Sequence, residues 1–213
     1  MSVPISYWNR QSSKFGLRDL LNDKVYIDPS SELTDSGWHN TRSIIRSELR
    51  GHESKALDFY CGTGRFTADL AQLIQSDVVG VDTSLPLINE ATASPQVRFI
   101  HIPDGRIPIP ARSMDVVLAN HALSSLRGRL LDRAVGEIVR VLKPFGLLVL
   151  IESTADIPDT RQHVYRDAQA YRQMFPQIHW KAAAVHTPGP PEGDEEDHEM
   201  SVLLGRMMGD DAG

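Results

Sequence analysis

The chain has 213 residues, of which 41% are hydrophobic, 23% are charged and 7% are aromatic. This length and composition describe one ordinary globular domain and exclude collagen-like, low-complexity and largely disordered chains. The formal net charge is -6, but residues 192–199 contribute six acids and no lysine or arginine, so the rest of the chain carries 22 acidic and 22 basic residues. This neutral body offers no broad basic surface, and no nucleic-acid partner is predicted.

Location and covalent links follow from a few absences in the sequence. No segment has the run of about 18 or more apolar residues that a membrane span needs, and residues 1–10 lack the apolar run of a secretory signal. We therefore expect a cytoplasmic protein without a membrane partner. The single cysteine, Cys61, cannot form an internal disulfide, and the eight histidines are never two to four residues apart, so no metal site is predicted. The oligomeric state, monomer or homodimer, stays open.

The first fifty residues differ from the rest of the chain. Aromatic residues are scattered among polar ones, and residues 40–50 then have the pattern of a helix that stops at Gly51. We expect residues 1–51 to form a short helical cap on the domain that follows.

From residue 56 onward, short apolar runs alternate with helical patterns, which is typical of β/α units on a mostly parallel sheet. Apolar spacing predicts six or seven strands. They include 56–60, 78–81, 97–101, 115–119 and 147–152, and helices are predicted at 67–75, 85–93, 129–142 and 162–175. Two more strands, 180–186 and 200–206, should pair antiparallel. Their connection, 187–199, is rich in proline, glycine and acids and is predicted to be a mobile loop.

Residues 56–67 (ALDFYCGTGRFT) join an apolar strand, two glycines separated by one residue, and the start of a helix. Glycines let the backbone turn sharply and approach a ligand, and the free N–H groups of the helix suit a carboxylate or phosphate. The motif alone is equally compatible with a tight strand–helix turn that binds nothing.

Asp82 lies eighteen residues after Gly64, at the end of the second predicted strand. An acid in this place can accept hydrogen bonds from both hydroxyls of a ribose, although it can also cap the following helix. Dehydrogenases place glycine or alanine three positions after the second glycine, where this chain has Thr67. An NAD(P)-linked oxidoreductase is therefore a less favoured alternative.

These motifs resemble those of the class I S-adenosylmethionine-dependent methyltransferases, and the resemblance covers most of residues 55–206. Asp58 with Cys61-Gly62-Thr63-Gly64 matches the acid and glycine motif, and Asp82 matches the ribose acid. Three later segments match the family's adenine, fourth-strand and fifth-strand motifs: residues 102–105 (IPDG), 112–126 (RSMDVVLANHALSSL) and 137–150 (EIVRVLKPFGLLVL).

The resemblance implies a fold and a function. The fold is Rossmann-like α/β, doubly wound, with a mostly parallel seven-stranded sheet, an antiparallel last strand and a short N-terminal helical cap. Residues 52–208 would form the S-adenosylmethionine-binding domain, and residues 1–51 would cover the substrate. The function is in-line methyl transfer to O, N or C of a small organic molecule, as in natural-product tailoring, with S-adenosyl-L-homocysteine as product. The neutral body and the short aromatic-bearing cap favour a compact acceptor over a protein.

The resemblance also assigns residues to roles. His121 is the candidate general base, because an imidazole with an ordinary pKa near ~6.5 can take the proton of a phenol, hydroxyl or ammonium; its alternative role is to line the cofactor pocket. Tyr7, Trp8, Tyr26 and His39 of the cap are candidate substrate contacts, or plain anchors of the cap. The expected cofactor contacts are Asp58, Tyr60, Cys61, Gly62, Thr63, Gly64, Asp82, Thr83, Asp104, Gly105, Asn120 and His121.

Two positions depart from the family pattern. Tyr60 replaces the first motif glycine and Phe145 replaces one of a glycine pair. The RNA uracil-C5 methyltransferases often carry D-x-Y/F-C-G-x-G-x-F in this loop, so Tyr60 is tolerable there, but their nucleophilic cysteine and D-P-P-R segment are absent and their chemistry is rejected. Because Tyr60 can narrow the space at the methionine end of the cofactor, the alternative function is a non-catalytic methyltransferase-like binding or partner protein.

Overall fold

The structure, a computed structural model, describes residues 35–154, 156, 158–160, 163–181, 185–187 and 200–209. Within these residues five helices and eight strands follow one another along the chain. In chain order they are α1 (Asp35–Glu48), β1 (Lys55–Phe59), α2 (Arg65–Ile74), β2 (Asp77–Asp82), α3 (Leu85–Glu90), β3 (Val97–His101), β4 (Met114–Asn120), α4 (Arg129–Val141), β5 (Leu142–Ser153), α5 (Ala168–Gln173), β6 (Ile178–Trp180), β7 (Val185–Thr187) and β8 (Met200–Met207).

The strands form one mixed sheet in the order β3-β2-β1-β4-β5-β8-β6. The first five strands in that order are parallel, and β8 runs antiparallel to β5. Strand β7 pairs with the same edge of β8 as β6 does, further along, so two short strands share the seventh position of the sheet. The predicted Rossmann-like, mostly parallel sheet of seven positions with an antiparallel last strand is confirmed.

The sheet is buried on both faces, as the near-continuous apolar runs of its central strands predict. On one face, Leu57 and Val117 pack with Ile138 of α4 and Tyr171 of α5. The opposite face is covered by α1 and α2, and its buried residues include Ile45, Ala56, Leu70, Leu118 and Ile151. Side chains alternate between the two layers along each strand. Because β1 to β5 are parallel, their carboxyl ends lie at one edge of the sheet.

Helix α5 differs most from its predicted element. The sequence pattern predicts a helix over 162–175, whereas α5 begins at Ala168, where the carboxylate of Asp167 accepts a hydrogen bond from Ala170 N at 2.6 Å. Helix α3 also ends early, at Glu90, because Ala91 takes an extended conformation. The predicted strand 180–186 is replaced by β6 and β7. Most of the acidic connection, 188–199, lies outside the described residues.

Contacts with α2 and β8 fix the position of helix α1. Its Arg42 forms an ion pair with Asp69 of α2 at 3.3 Å, and Arg206 donates to the carbonyl of Glu48 at its last turn. Since Arg206 pairs with Leu147, in the amino-terminal half of β5, α1 ends beside the amino ends of the parallel strands. Residues 1–34 lie outside the described residues, so the division into cap and catalytic domain stays a prediction.

No helix in the described part of the chain is both long and apolar enough to cross a membrane.

Candidate active site

In the glycine loop between β1 and α2, every second residue from 60 to 64 has a left-handed conformation. Tyr60, Gly62 and Gly64 have φ of 59°, 56° and 83°. Gly64 is required by space as well, because a Cβ there would lie 2.3 Å from the ring of Phe99. A Cβ on Gly62 would meet nothing within 4 Å, so this side of the loop is open to a ligand.

Asp58 holds the loop from beneath. Its carboxylate is buried at 2% exposure and accepts a 2.6 Å hydrogen bond from the hydroxyl of Thr67, in the first turn of α2. Burial raises the pKa of Asp58 to about 7, against the opposing effect of the Thr67 hydrogen bond. Thr67 therefore links β1 to α2. From the sequence alone, this residue serves only as evidence against the dehydrogenase pattern.

We expect Asp58 to make stability depend on pH. Its carboxyl has a pKa of about 7 in the fold against 3.8 as a free side chain, so stabilisation by the bound proton is complete below 3.8 and is lost as the pH rises through 7. Between pH 5 and 8 this loss is roughly 3 kcal/mol. Asp58→Asn should remove that share of the pH dependence in thermal melts, whereas Asn at the exposed Asp77 should not. An unchanged dependence in Asp58→Asn would show that the carboxyl titrates normally.

Asp82 ties the glycine loop to the end of β2. One carboxylate oxygen accepts from Gly62 N at 2.9 Å and the other from Ser84 N at 2.8 Å. Burial raises the pKa of this carboxyl, while the backbone donors oppose that effect. A carboxylate has about four acceptor positions, so Asp82 can accept a further hydrogen bond, such as one from a vicinal diol.

A cleft opens beside Asp82 and Tyr60, between the ends of β1, β2 and β3 and helix α4. Its walls are largely apolar, and its polar groups include Asp104, whose carbonyl accepts a 2.5 Å hydrogen bond from Arg133. A flat heteroaromatic ring fits such walls, and an acid at the rim can accept from its exocyclic amine. The lining residues are Phe59, Tyr60, Thr83, Pro103, Asp104, Gly105, Leu126, Leu130, Arg133 and Ala134. The sequence alone did not predict Leu126, Leu130, Arg133 and Ala134 as site residues. Only the fold brings the start of α4 and the residues before it to this edge.

Tyr60 forms part of the wall of this cleft. Its ring lies 4.6 Å from that of Phe59, and burial together with the charge of Asp82 raises the pKa of its phenol to about 12. The ring lines the cleft together with Asp104 and Gly105, which belong to the segment that the family resemblance assigns to adenine. The left-handed φ of Tyr60 explains why glycine is the ordinary residue at this position.

Asn120 and His121 end β4 at the same edge of the sheet. His121 has a φ of 49° and donates its backbone N–H to the carbonyl of Ile151 at 2.8 Å. Its Nε2 and the Oδ1 of Asn120 are buried and have no hydrogen-bond partner within the described ranges. Burial lowers the pKa of His121 to about 3, helped by the charge of His163, so the imidazole is neutral at pH 7 and a weaker base than an ordinary histidine.

Glu152 and Arg166 hold the loop that follows β4. The fully buried carboxylate of Glu152 accepts from Leu123 N at 2.8 Å and from Ser124 N at 3.3 Å. Arg166 donates to the carbonyls of Leu123 and Leu126 at 3.2 and 3.1 Å. Burial raises the pKa of Glu152 to about 7. The sequence gives no sign of this contact, which joins residues about thirty to forty positions apart.

Some of the remaining predicted site residues lie in the described part of the chain and others lie outside it. Cys61 lies in the loop, where burial raises the pKa of its thiol, so it is a poor nucleophile. Thr63 lies in the glycine loop, and Thr83 lines the cleft. The backbone of His39 lies in α1, while Tyr7, Trp8 and Tyr26 lie outside the described residues. Within the described ranges, no group of three or more His, Cys, Asp or Glu residues is placed to hold a metal ion.

Known proteins match this site and its scaffold. Residues 57–150 match the family described as "Methyltransferase domain". The chain is 32% identical over 133 residues to the demethylmenaquinone methyltransferase of Lysinibacillus sphaericus, covering 59% of this chain and 55% of the relative. It is 36% identical over 151 residues to the malonyl-[acyl-carrier protein] O-methyltransferase of Methylovorus, covering 61% and 50%. The chain thus spans about half the length of the curated relatives it matches.

The fold has close counterparts among solved structures. An S-adenosylmethionine-dependent methyltransferase from Aquifex aeolicus superposes with a TM-score of 0.61 at 16% identity, covering 96% of this chain and 97% of the other. At this identity the likeness concerns the fold alone.

Proposed function

We propose that this chain, a member of the class I S-adenosylmethionine-dependent methyltransferase family, transfers a methyl group from S-adenosylmethionine to an O, N or C atom of a small organic molecule. The observation that carries the proposal is the bond between Gly62 N and Asp82, which sets an acid with free lone pairs beside an open glycine loop. The bound cofactor would supply a methyl group on a sulfonium, which needs no universal catalytic side chain.

The residues of the loop and cleft fit this cofactor. Asp82 would accept from the ribose hydroxyls, and the apolar cleft with Asp104 at its rim would take the adenine ring. The open face at Gly62 leaves room for the methionine part. Tyr60 would pack against the adenine side, and in that place it need not obstruct the cofactor.

On the acceptor side, His121 is the proposed general base. Its neutral imidazole has an unpartnered Nε2 at the mouth of β4, next to the loop that Glu152 and Arg166 hold in place. A bound hydroxyl or ammonium can donate to Nε2 and so restore the hydrogen bond that the buried ring lacks. This bond would stabilise the neutral ring and align its Nε2 with the proton that the acceptor must lose.

Several observations favour a small organic acceptor in a biosynthetic reaction. The names of both curated relatives specify organic acceptors, a demethylmenaquinone and a carrier-linked malonyl group. Outside its acidic segment the chain has balanced charge, which gives no footprint for nucleic acid.

A transfer assay tests the proposal. The full chain, incubated with S-adenosylmethionine carrying a trideuterated methyl group, should move that label onto members of a panel of small phenols, amines and hydroxy compounds, seen by mass spectrometry. Cofactor binding without transfer to the panel or to a metabolite extract would instead favour a non-catalytic partner protein.

A further inference from the structure

In the described part of the chain, three buried polar atoms without hydrogen-bond partners lie at the carboxyl ends of β4 and β5. They are Asn120 Oδ1, His121 Nε2 and Ser153 Oγ. Buried polar atoms are nearly always bonded, because leaving one unpaired costs free energy. Three at one edge of one sheet indicate a place that a ligand completes.

The strand register sets two of these side chains on the same face. Asn120 pairs with Ile151, and Ser153 lies two residues further along β5, so its side chain emerges on the side of Ile151. Strand spacing then puts the Cα atoms of Asn120 and Ser153 about 8 Å apart, a gap that one small polar group can bridge. Leu118 and Ile151 belong to the core layer under α1 and α2, so this is also the face of Asp58 and the glycine loop.

Among the described residues, the Ser153 hydroxyl makes no hydrogen bond that would stabilise the fold. Ser201 on β8 pairs with the preceding residue of β5, Glu152, and is also buried, but the Ser201 hydroxyl lies 2.6 Å from that of Thr154. Two buried serines at the same end of the sheet thus differ in their hydroxyls: that of Ser201 is bonded within the protein, whereas that of Ser153 has no partner among the described residues.

The chemistry of the pair restricts its ligand. Asn120 Oδ1 is an acceptor, so the ligand group must donate a hydrogen bond, while the Ser153 hydroxyl can give or accept one. Neither side chain is charged, and the buried acids near this edge, Asp58 and Asp82, disfavour an anion.

We propose that Asn120 and Ser153 form the acceptor subsite, which binds an uncharged hydroxyl or amine of the methyl acceptor beside His121. This deepens the proposed function and rests on it. The subsite selects phenols, alcohols and neutral amines, and it rejects carboxylates of similar shape.

Ligand-observed NMR on the full chain, saturated with S-adenosylhomocysteine, tests the subsite. The probes are 4-ethylphenol, 4-ethylaniline and 4-ethylbenzoate at pH 7.5. We expect the phenol and the aniline to bind and the benzoate not to bind. Ser153→Ala should weaken phenol binding by about tenfold, the loss of one buried hydrogen bond. Ser201→Ala, the matched control, should bind the phenol as the wild type does.

Thermal melts of the same two variants separate a ligand-binding serine from a structural one. Ser153→Ala should keep or raise the melting temperature because it removes an unpaired hydroxyl, whereas Ser201→Ala should lower it. Equal phenol binding by Ser153→Ala and wild type, equal binding of the benzoate, or no binding of any probe would overturn the subsite. Failure of S-adenosylhomocysteine to bind would instead count against the proposed function, and the probes would then be titrated into the free chain.

Discussion

Replacing Asp82 with alanine is expected to weaken the binding of S-adenosylhomocysteine by about 1.5–3 kcal/mol, or roughly 10- to 150-fold. The carboxylate contributes twice. It fixes the glycine loop through Gly62 N, and in our proposal it also accepts hydrogen bonds from the ribose diol. Isothermal titration calorimetry of wild type and variant measures the difference.

Asp77→Ala is the matched control for this variant. Asp77 begins the same strand that Asp82 ends, but it is exposed and lies at the opposite edge of the sheet. Its replacement should leave the affinity unchanged. If Asp82→Ala binds S-adenosylhomocysteine as tightly as wild type, the ribose does not contact this carboxylate, and its role is limited to capping the turn at Ser84.

Replacing His121 with alanine is expected to lower turnover by about 100-fold or more while the affinity for S-adenosylhomocysteine stays within experimental error, provided that the acceptor must lose a proton. The imidazole is the proposed base at the carboxyl end of β4, and its buried Nε2 has no hydrogen-bond partner among the residues that the structure describes. Single-turnover rates with the acceptor identified in the transfer assay, together with calorimetry, separate the two quantities.

The pH profile adds a second readout for His121. Burial lowers its pKa to about 3, so the ring stays neutral from pH 5 to 9 and its protonation gives no fall in rate near pH 6.5. His179→Ala on β6 is the matched control because His179 is exposed and remote from β4, and its rate should equal that of wild type. Normal turnover in His121→Ala would remove this residue from the chemistry.

Much of the fold could be predicted from the sequence because its main signals are local. The alternation of apolar runs with helical spacing predicts β1 to β5 to within a few residues, and the antiparallel pairing of the final strand was also predicted correctly. Helix α5 was predicted too long, because Arg166 is used to bond the carbonyls of a distant loop. No local pattern carries that information.

The site divides in the same way. The glycine loop, Asp82 and the end of β4 were predicted because the residues that define them lie in short motifs. Other features depend on contacts that only the folded sheet creates. They are the hydrogen bond from Thr67 to Asp58, the hydrogen bond from Leu123 N to Glu152, and the burial of the Ser153 hydroxyl. Sequence spacing also gives no warning that burial shifts the pKa of His121 so far from that of an ordinary histidine.

Titration of the wild-type chain with S-adenosylmethionine, S-adenosylhomocysteine and NADH in one calorimetric series tests the central claim most directly. The glycine loop, Asp82 and the cleft at Asp104 predict micromolar binding of both sulfur nucleotides and no binding of NADH. Binding of NADH in place of the sulfur nucleotides, or binding of none of the three, would contradict the assignment of this edge of the sheet as an S-adenosylmethionine site.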